Sequence, residues 1–493
     1  MKKSLLLALL AFMMGLVALS QEAFTLDESL ENGDFFYERE DYVEAVYHFQ
    51  NLIGTDYENA NIHFKIGDCF LNIHGEEYKA IPFLEKAVQK MSPKYKKRSP
   101  SETNAPEWSL FYLGNAYRIA NQLDNALEAY NRFLNLPDFD SNYNLNIVTN
   151  QIKAVEKAKI IQDIPLDLEM VNLGSPINSE TANYAPVISS DETMLVFMTE
   201  QKFYHGIFVS RKEKGRWSEP ENITPQVGSD GDVIPTSISS DKQEIYLVKG
   251  EDDMRDIYVS MFDGEFWTKM EPLNAGINST RAETHASISP DGTTLYFASN
   301  RRGGYGEIDL YRSFRTPDGD WGPPENLGPT INTEFNENIP FLSVDQKTLF
   351  FSSEGHYNMG GYDVFYSFME ETGEWGTPIN IGYPINTTGD DLFYAPVGNG
   401  SVGYMAKIMQ DGSGKEDIYR IEIFPSAQTE IAAVEGILNL EGLDLDYNQS
   451  FDVQVMDKAT GQILGILRFD KETKQLSYIS KSGNLEFKID KKE

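Results

Sequence analysis

The sequence predicts a multidomain chain in which an α part precedes an all-β part: stacked helical repeats, then a five-bladed β-propeller, then a small sandwich-like β module. Three observations carry this. Small and aromatic residues recur in helical register near the N-terminus. Four of the five tryptophans recur every 50 to 54 residues further on, and a Ser-x-Asp turn recurs in step with them. Two periods in one chain mean two repeat architectures, and 493 residues leave room for both.

The chain opens with Lys2 and Lys3, an apolar run from Leu5 to Leu19, and Ala18-Leu19-Ser20 before Gln21. A basic start, a short apolar stretch and small residues before a cut predict a cleaved signal peptide over 1–20. The run is short of the ~20 residues that span a bilayer. No Cys follows it, so lipoprotein attachment is excluded, and the expected location is the periplasm, in places peripheral to the outer membrane. Lys+Arg 42 against Asp+Glu 76 gives a net charge of −34. Such a surface repels phosphate backbones, which excludes nucleic acid as a partner class. With Cys69 as the one cysteine, neither a disulfide framework nor a Cys-cluster metal site can form.

Residues 21–161 carry the helical period. Gly33, Phe36, Ala45 and Phe49 recur as Gly67, Phe70, Ala80 and Leu84, and again as Gly114, Tyr117, Ala126 and Tyr130. Gly33 and Gly67 are 34 residues apart, and Gly67 and Gly114 are 47, which is 34 plus an insertion. The spacing resembles the tetratricopeptide repeat (TPR), where small residues let paired helices approach and aromatics fill the gaps between pairs. Pro93 and Pro137 fall where the second helix of a repeat should stop, and 144–161 reads as a capping helix.

Residues 165–425 carry the strand period. Trp217, Trp267, Trp321 and Trp375 keep step with Ser189-Ser190-Asp191, Ser239-Ser240-Asp241, Ser289-Pro290-Asp291 and Ser343-Val344-Asp345, with Val397-Gly398-Asn399 as a degenerate fifth copy. After each turn come a short apolar run and a strand start such as Asp309-Leu310-Tyr311 or Asp363-Val364-Phe365. Four short strands per ~50 residues is the propeller pattern. Each full unit is expected to end in a Trp strand that leads into a Leu-Gly-x-x-Ile-Asn step. The fifth unit has none, but Leu166–Leu173 leads into the same step at Ile177-Asn178, so this segment is predicted to complete the last blade and close the ring. Six blades is the alternative if residues beyond Pro425 add strands.

Residues 430–493 alternate or run apolar over Val434–Leu440, Phe451–Met456, Ile463–Phe469 and Leu485–Ile489, which predicts the small β module. The unit Ser289-Pro290-Asp291-Gly292, Leu295-Tyr296-Phe297, Gly303-Gly304 and Asp309-Leu310-Tyr311 resembles the WD40-like, TolB-type propeller repeat. The module that follows is similar to a carboxypeptidase regulatory-like domain. The whole order resembles Bacteroidetes envelope proteins that serve type IX secretion and gliding. Most of those end in an OmpA-like peptidoglycan-binding domain; none follows here, so peptidoglycan contact does not carry over.

No catalytic constellation emerges. Asn399-Gly400-Ser401-Val402-Gly403 has Asn where a nucleophile elbow needs Gly, and Gly412-Ser413-Gly414-Lys415 lacks the rest of a P-loop. Asp444-Leu445-Asp446 opens like a calcium loop but has Gln449 and Val455 at the turn and ligand positions. His63 and His74 lack carboxylates at metal-ligand spacing, and Arg301-Arg302-Gly303-Gly304 reads as a turn. No cofactor, metal or catalytic residue is therefore assigned. Two features carry more. Aligned on the turns, Asn183, Val233, Glu283, Glu337 and Asp391 start the innermost strands, where four polar groups would ring one channel mouth, as wet loop residues or as a docking face. Lys90, Lys94, Lys96, Lys97 and Arg98 form a basic cluster in the helical insertion, either a solvated loop or a steering patch for an acidic partner. The resulting expectation is a non-enzymatic scaffold binding envelope proteins through a TPR groove and a propeller face, with a glycan- or small-ligand-binding propeller as the alternative.

Overall fold

The computed structural model describes residues 24–99, 101–137, 139–250, 254–412 and 415–424, together with five strands between 432 and 489. The leader expected over 1–20 and the calcium-like loop at 444–448 lie outside these residues. The chain divides into two compact units, 1–155 and 156–493.

In the first unit the helical period becomes three helix pairs: Leu26–Tyr37 with Tyr42–Gln50, Ala60–Leu71 with Ile81–Ala87, and Ser109–Ile119 with Leu123–Leu134. Thr25 and Glu28 form a reciprocal capping box at the first helix, and Asn59 caps the third. Each pair closes at its glycine. A Cβ on Gly33 would lie 2.6 Å from the Phe49 ring, one on Gly67 2.6 Å from Leu84, and one on Gly114 2.4 Å from the Tyr130 ring. Gly67 to Ala80 is one residue longer than Gly33 to Ala45, and a 3-10 turn over Glu77–Ala80 absorbs the difference. The insertion is pinned at its ends by Met91–Ser92 pairing in parallel with Ala105–Pro106. A helix from Leu145 to Gln162 follows.

In the second unit five antiparallel blades form, with innermost strands at Asn183–Ile188, Val233–Ile238, Glu283–Ile288, Glu337–Leu342 and Ala395–Val397 in chain order; blades 2 to 5 have four strands and blade 1 has five. Blade 3 is typical: Glu283–Ile288, Thr294–Ser299, Asp309–Phe314 and Glu325–Asn326. Blade 5 takes Ala395–Val397, Val402–Lys407 and Asp417–Ile423 from the end of the ring and Leu168–Asn172 from its beginning, with Tyr419 opposite Asn172 and Ile423 opposite Leu168. Five blades and the closing strand are as expected.

Packing between blades explains the composition. Five apolar clusters lie between neighbouring blades, one at each junction. On the second strand of blade 2, Ile245 and Leu247 face blade 1, while Tyr246 and Val248 face blade 3. A strand buried on both faces reads as an unbroken apolar run, without polar alternation. Trp267, Trp321 and Trp375 each wedge against the preceding blade. They do not lie in the outermost strand as the sequence reading had it. Each bridges back to the end of the third strand, and the outermost strand starts four residues later, at Glu271, Glu325 and Ile379.

An asparagine clasps the third strand of four blades. Asn278, Asn332, Asn386 and Asn178 each accept from the backbone N–H, and donate to the C=O, of Ile257, Leu310, Val364 and Ile418 respectively, at 2.8–3.0 Å. In blade 1 the Thr224 hydroxyl replaces it, accepting from Ile207 N–H at 2.8 Å. The serine of each Ser-x-Asp turn donates to its aspartate at 2.6–2.7 Å. The C-terminal strands form two sheets: Ala432–Ile437 with Gln475–Ser480, and Asp452–Asp457 between Ile463–Arg468 and Leu485–Ile489.

Two stability predictions follow from these contacts. Gly114→Ala gains up to ~1 kcal/mol of helix propensity, but the buried Tyr130 ring, held by its hydroxyl on Asn115 at 2.7 Å, cannot retreat. The net effect is destabilisation by about 1–3 kcal/mol, read as a lower midpoint in helical circular dichroism. Asn332→Ala leaves the buried Leu310 N–H without an acceptor, whereas its C=O keeps the Leu327 N–H. A loss of about 1–3 kcal/mol is expected in urea unfolding of the propeller.

Candidate functional site

Antiparallel pairing puts the start of each innermost strand, the end of the second and the start of the third at one end of the ring: Glu283 is opposite Ser299, and Ser299 opposite Asp309. The loops joining second to third strands, and those joining one blade to the next, therefore share this end. The residues expected to ring the mouth are all here, but they are not wet. Asn183, Val233, Glu283 and Glu337 are 0% exposed and Asp391 is 3% exposed.

Their carboxylates hold the inter-blade loops. Glu283 accepts from Ser279 N–H and hydroxyl, Ser299 hydroxyl and the Arg301 guanidinium at 2.7–3.1 Å. Glu337 accepts from Thr333 N–H and hydroxyl and Ser353 hydroxyl at 2.7–2.8 Å. Asp391 accepts from Thr387 N–H and hydroxyl and from Lys407 Nζ at 2.7 Å. Asn183 does similar work with Thr181 and Thr199. The polar side chain, a Ser or Thr four residues before it, and a Ser, Thr or Lys sixteen after it form a single repeated latch. Val233 breaks the pattern in blade 2.

The side chains one position later are less buried. Tyr184, Ile234, Thr284, Asn338 and Leu392 are all half-buried, and the Thr284 hydroxyl reaches Asn338 Oδ1 of the next blade at 2.8 Å. A step of one along a strand exchanges its two faces. Deeper in, the inner strands of blades 1 and 4 bulge at Ala185 and Ile339, at φ +48° and +51°, and Phe393, just before the inner strand of blade 5, has φ +59°. A cavity of about 10 Å³ is lined by residues from all five blades, with His285 and Phe393 in edge-to-face contact, room for about one water. Burial pushes His285 down to about 3, so the plug stays uncharged at neutral pH.

Lys90, Lys94, Lys96, Lys97 and Arg98 are all exposed on the insertion, where Arg98 Nε lies 3.8 Å from Glu38 Oε1. His63 is buried against Glu58 at 2.7 Å, a contact that its sequence spacing concealed, and His74 is exposed beside Glu77. Ser401 donates to Asn399 within the blade-5 turn. Gly412 is exposed, and Ser413 and Gly414 lie outside the described residues. Arg301, read as a turn residue, lies over the Phe297 and Tyr311 rings at 4.8 and 5.0 Å with its guanidinium on Glu283. Among the described residues no group of three His, Cys, Asp or Glu could hold a metal, and no helix is long and apolar enough to cross a membrane.

No protein-family model and no curated protein matches this chain. Among solved structures it is similar to TolB from Acinetobacter baumannii, at 15% identity and a TM-score of 0.35 over 56% of this chain and 68% of that one. A putative TolB from Agrobacterium tumefaciens matches at 16% identity and a TM-score of 0.27, over 52% and 98% of the two chains. A thermostable family-43 glycoside hydrolase matches at 14% identity and a TM-score of 0.35, over 52% and 94%.

Glu337 gives a pH test of the latch. Arg301 and Lys407 place cations on Glu283 and Asp391, whereas the donors to Glu337 are neutral. Burial pushes its carboxyl up to about 7 from an ordinary 4.5, against the pull of those donors. Between these values the folded chain keeps a proton that the unfolded chain has released. Stability is therefore full below the lower value and falls as pH rises toward 7. Relative to Glu337→Gln, the native chain should lose about 3 kcal/mol between pH 4.5 and 7.5, measured by urea unfolding at both pH values.

Proposed function

We propose that this chain is a non-enzymatic, periplasmic scaffold that bridges envelope proteins, with its helical pairs acting as a TPR groove for one partner and one propeller face docking another. The observation that carries the reading is the fate of the polar groups at the propeller axis. Glu283, Glu337 and Asp391 are used up in holding loops, and the cavity that residues of all five blades line holds only about 10 Å³. Binding energy then has to come from the outer surface of the loops and from the helical groove, the surfaces repeat arrays offer to peptides and protein faces. The exposed basic cluster Lys90, Lys94, Lys96, Lys97 and Arg98 steers an acidic partner toward the helical unit. The resemblance to type IX secretion and gliding accessory proteins supplies the class of machine, and the carboxypeptidase regulatory-like module supplies a third, smaller contact.

A second reading, a glycan- or small-ligand-binding propeller, draws support from exposed aromatics at one end of the ring, Phe203, Tyr305 and Tyr357. Pull-down of the tagged, exported protein from cross-linked bacterial envelopes separates the two. The scaffold reading expects secretion or motility membrane proteins by mass spectrometry, lost when residues 21–160 are deleted. Recovery of the protein alone, or with sugar-uptake components, favours the second.

A further inference from the structure

At the junction of blades 1 and 2 the repeat fails in three places at once. Opposite the end of the second strand, blade 1 has Gly206 where blades 2 to 5 have Asp; Thr224 replaces the clasping asparagine; and Val233 replaces the latch. With no buried acid to meet it, Lys249, the counterpart of Lys407, reaches outward to Asp230 and Asp232 at 3.5 and 3.6 Å. Those carboxylates are 81% and 43% exposed. They lie in a loop packed on its neighbour: a Cβ on Gly231, at φ +116, would come 2.7 Å from Tyr204 Cβ.

On either side of this loop stand Phe203 and Met254, the two most exposed large apolar side chains among the described residues, at 85% and 81%. They occupy equivalent loops of adjacent blades, at the same end of the ring. Isolated surface apolar residues are ordinary. Two at the extreme of exposure, bracketing carboxylates that the other blades bury, are not.

We infer that this junction is a docking surface for a partner-protein segment that places a Lys or Arg on Asp230 and Asp232 and apolar side chains on Phe203 and Met254. The inference rests on the scaffold reading and names its propeller-side partner. Charge selects the occupant. The chain as a whole is at −34 and attracts cationic segments over several ångströms beyond contact. Lys249 is too far from both carboxylates for a short hydrogen bond, so an incoming guanidinium can take a bidentate place beside it. The Lys202 ammonium lies over the Phe203 ring at 4.9 Å. Met254, with an unbranched thioether, fits an adaptable protein contact.

The test is selection of a phage-displayed random peptide library on the full chain, with the enriched peptides then titrated by fluorescence anisotropy. Enriched sequences should pair Lys or Arg with apolar residues. Their affinity should fall at least tenfold in Phe203→Ser/Met254→Ser and should lose most of its salt dependence in Asp230→Asn/Asp232→Asn. Phe266→Ser, an exposed aromatic at the opposite end of the ring, should leave it unchanged. Peptides without basic residues, or binding indifferent to Phe203→Ser/Met254→Ser, overturn the inference. So does cellohexaose binding that the same variant abolishes. Peptides whose binding is lost instead in Tyr47→Ser, in the helical unit, leave the scaffold reading standing and remove this one, whereas failure to enrich any peptide removes both.

Discussion

Everything in the larger unit depends on the antiparallel ladder between Leu168–Asn172 and Asp417–Ile423. Each blade buries both faces against its neighbours, so the ring has no stable open form: one missing contact would expose two apolar blade faces and an unpaired strand edge. The ladder is reinforced where it matters. Asn178 clasps Ile418 from the next turn of chain, and Asn172 donates to Asp417 at 3.0 Å. The same clasp, repeated at Asn278, Asn332 and Asn386, ties every other joint it reaches, so closure uses no device the blades do not already possess.

From that constraint the role of the buried carboxylates follows. A ring whose blades are wedged apart by Trp267, Trp321 and Trp375 needs its inter-blade loops held at a fixed height. Glu283, Glu337 and Asp391 do this by accepting two bonds from a Ser or Thr four residues back and one from a side chain sixteen ahead. Burying a carboxylate is costly unless its lone pairs are filled, and here they are. An acid in a channel-mouth loop is thus a structural part.

Much of this was legible in the sequence because it is periodic. The spacing of the tryptophans and Ser-x-Asp turns revealed the blades, and the stray Ile177-Asn178 step revealed the closing strand. Gly33, Gly67 and Gly114 stood opposite Phe49, Leu84 and Tyr130 as the helical register implied. What failed was phase. The residues at the strand starts were aligned correctly, but which side of the strand each faced could not be read, because bulges such as those at Ala185 and Ile339 shift the alternation within an inner strand. The latch was visible in principle as Ser or Thr at −4 and Ser, Thr or Lys at +16. The outward Lys249 was not, since only its missing partner at Val233 gives it meaning.

The closing ladder also sets an order of events in time. Asn172 and Asp417 are 245 residues apart, so the strand that completes the ring is the first part of it to be synthesised and the last to find its partner. Contacts between such distant segments form late, because the whole intervening loop must be ordered before they pay back its closure entropy. Until then blade 5 keeps an open edge. A chain stopped between Asn380 and Asp417 has four complete blades and still no ring, which makes this propeller a fold whose assembly is decided at its final strand.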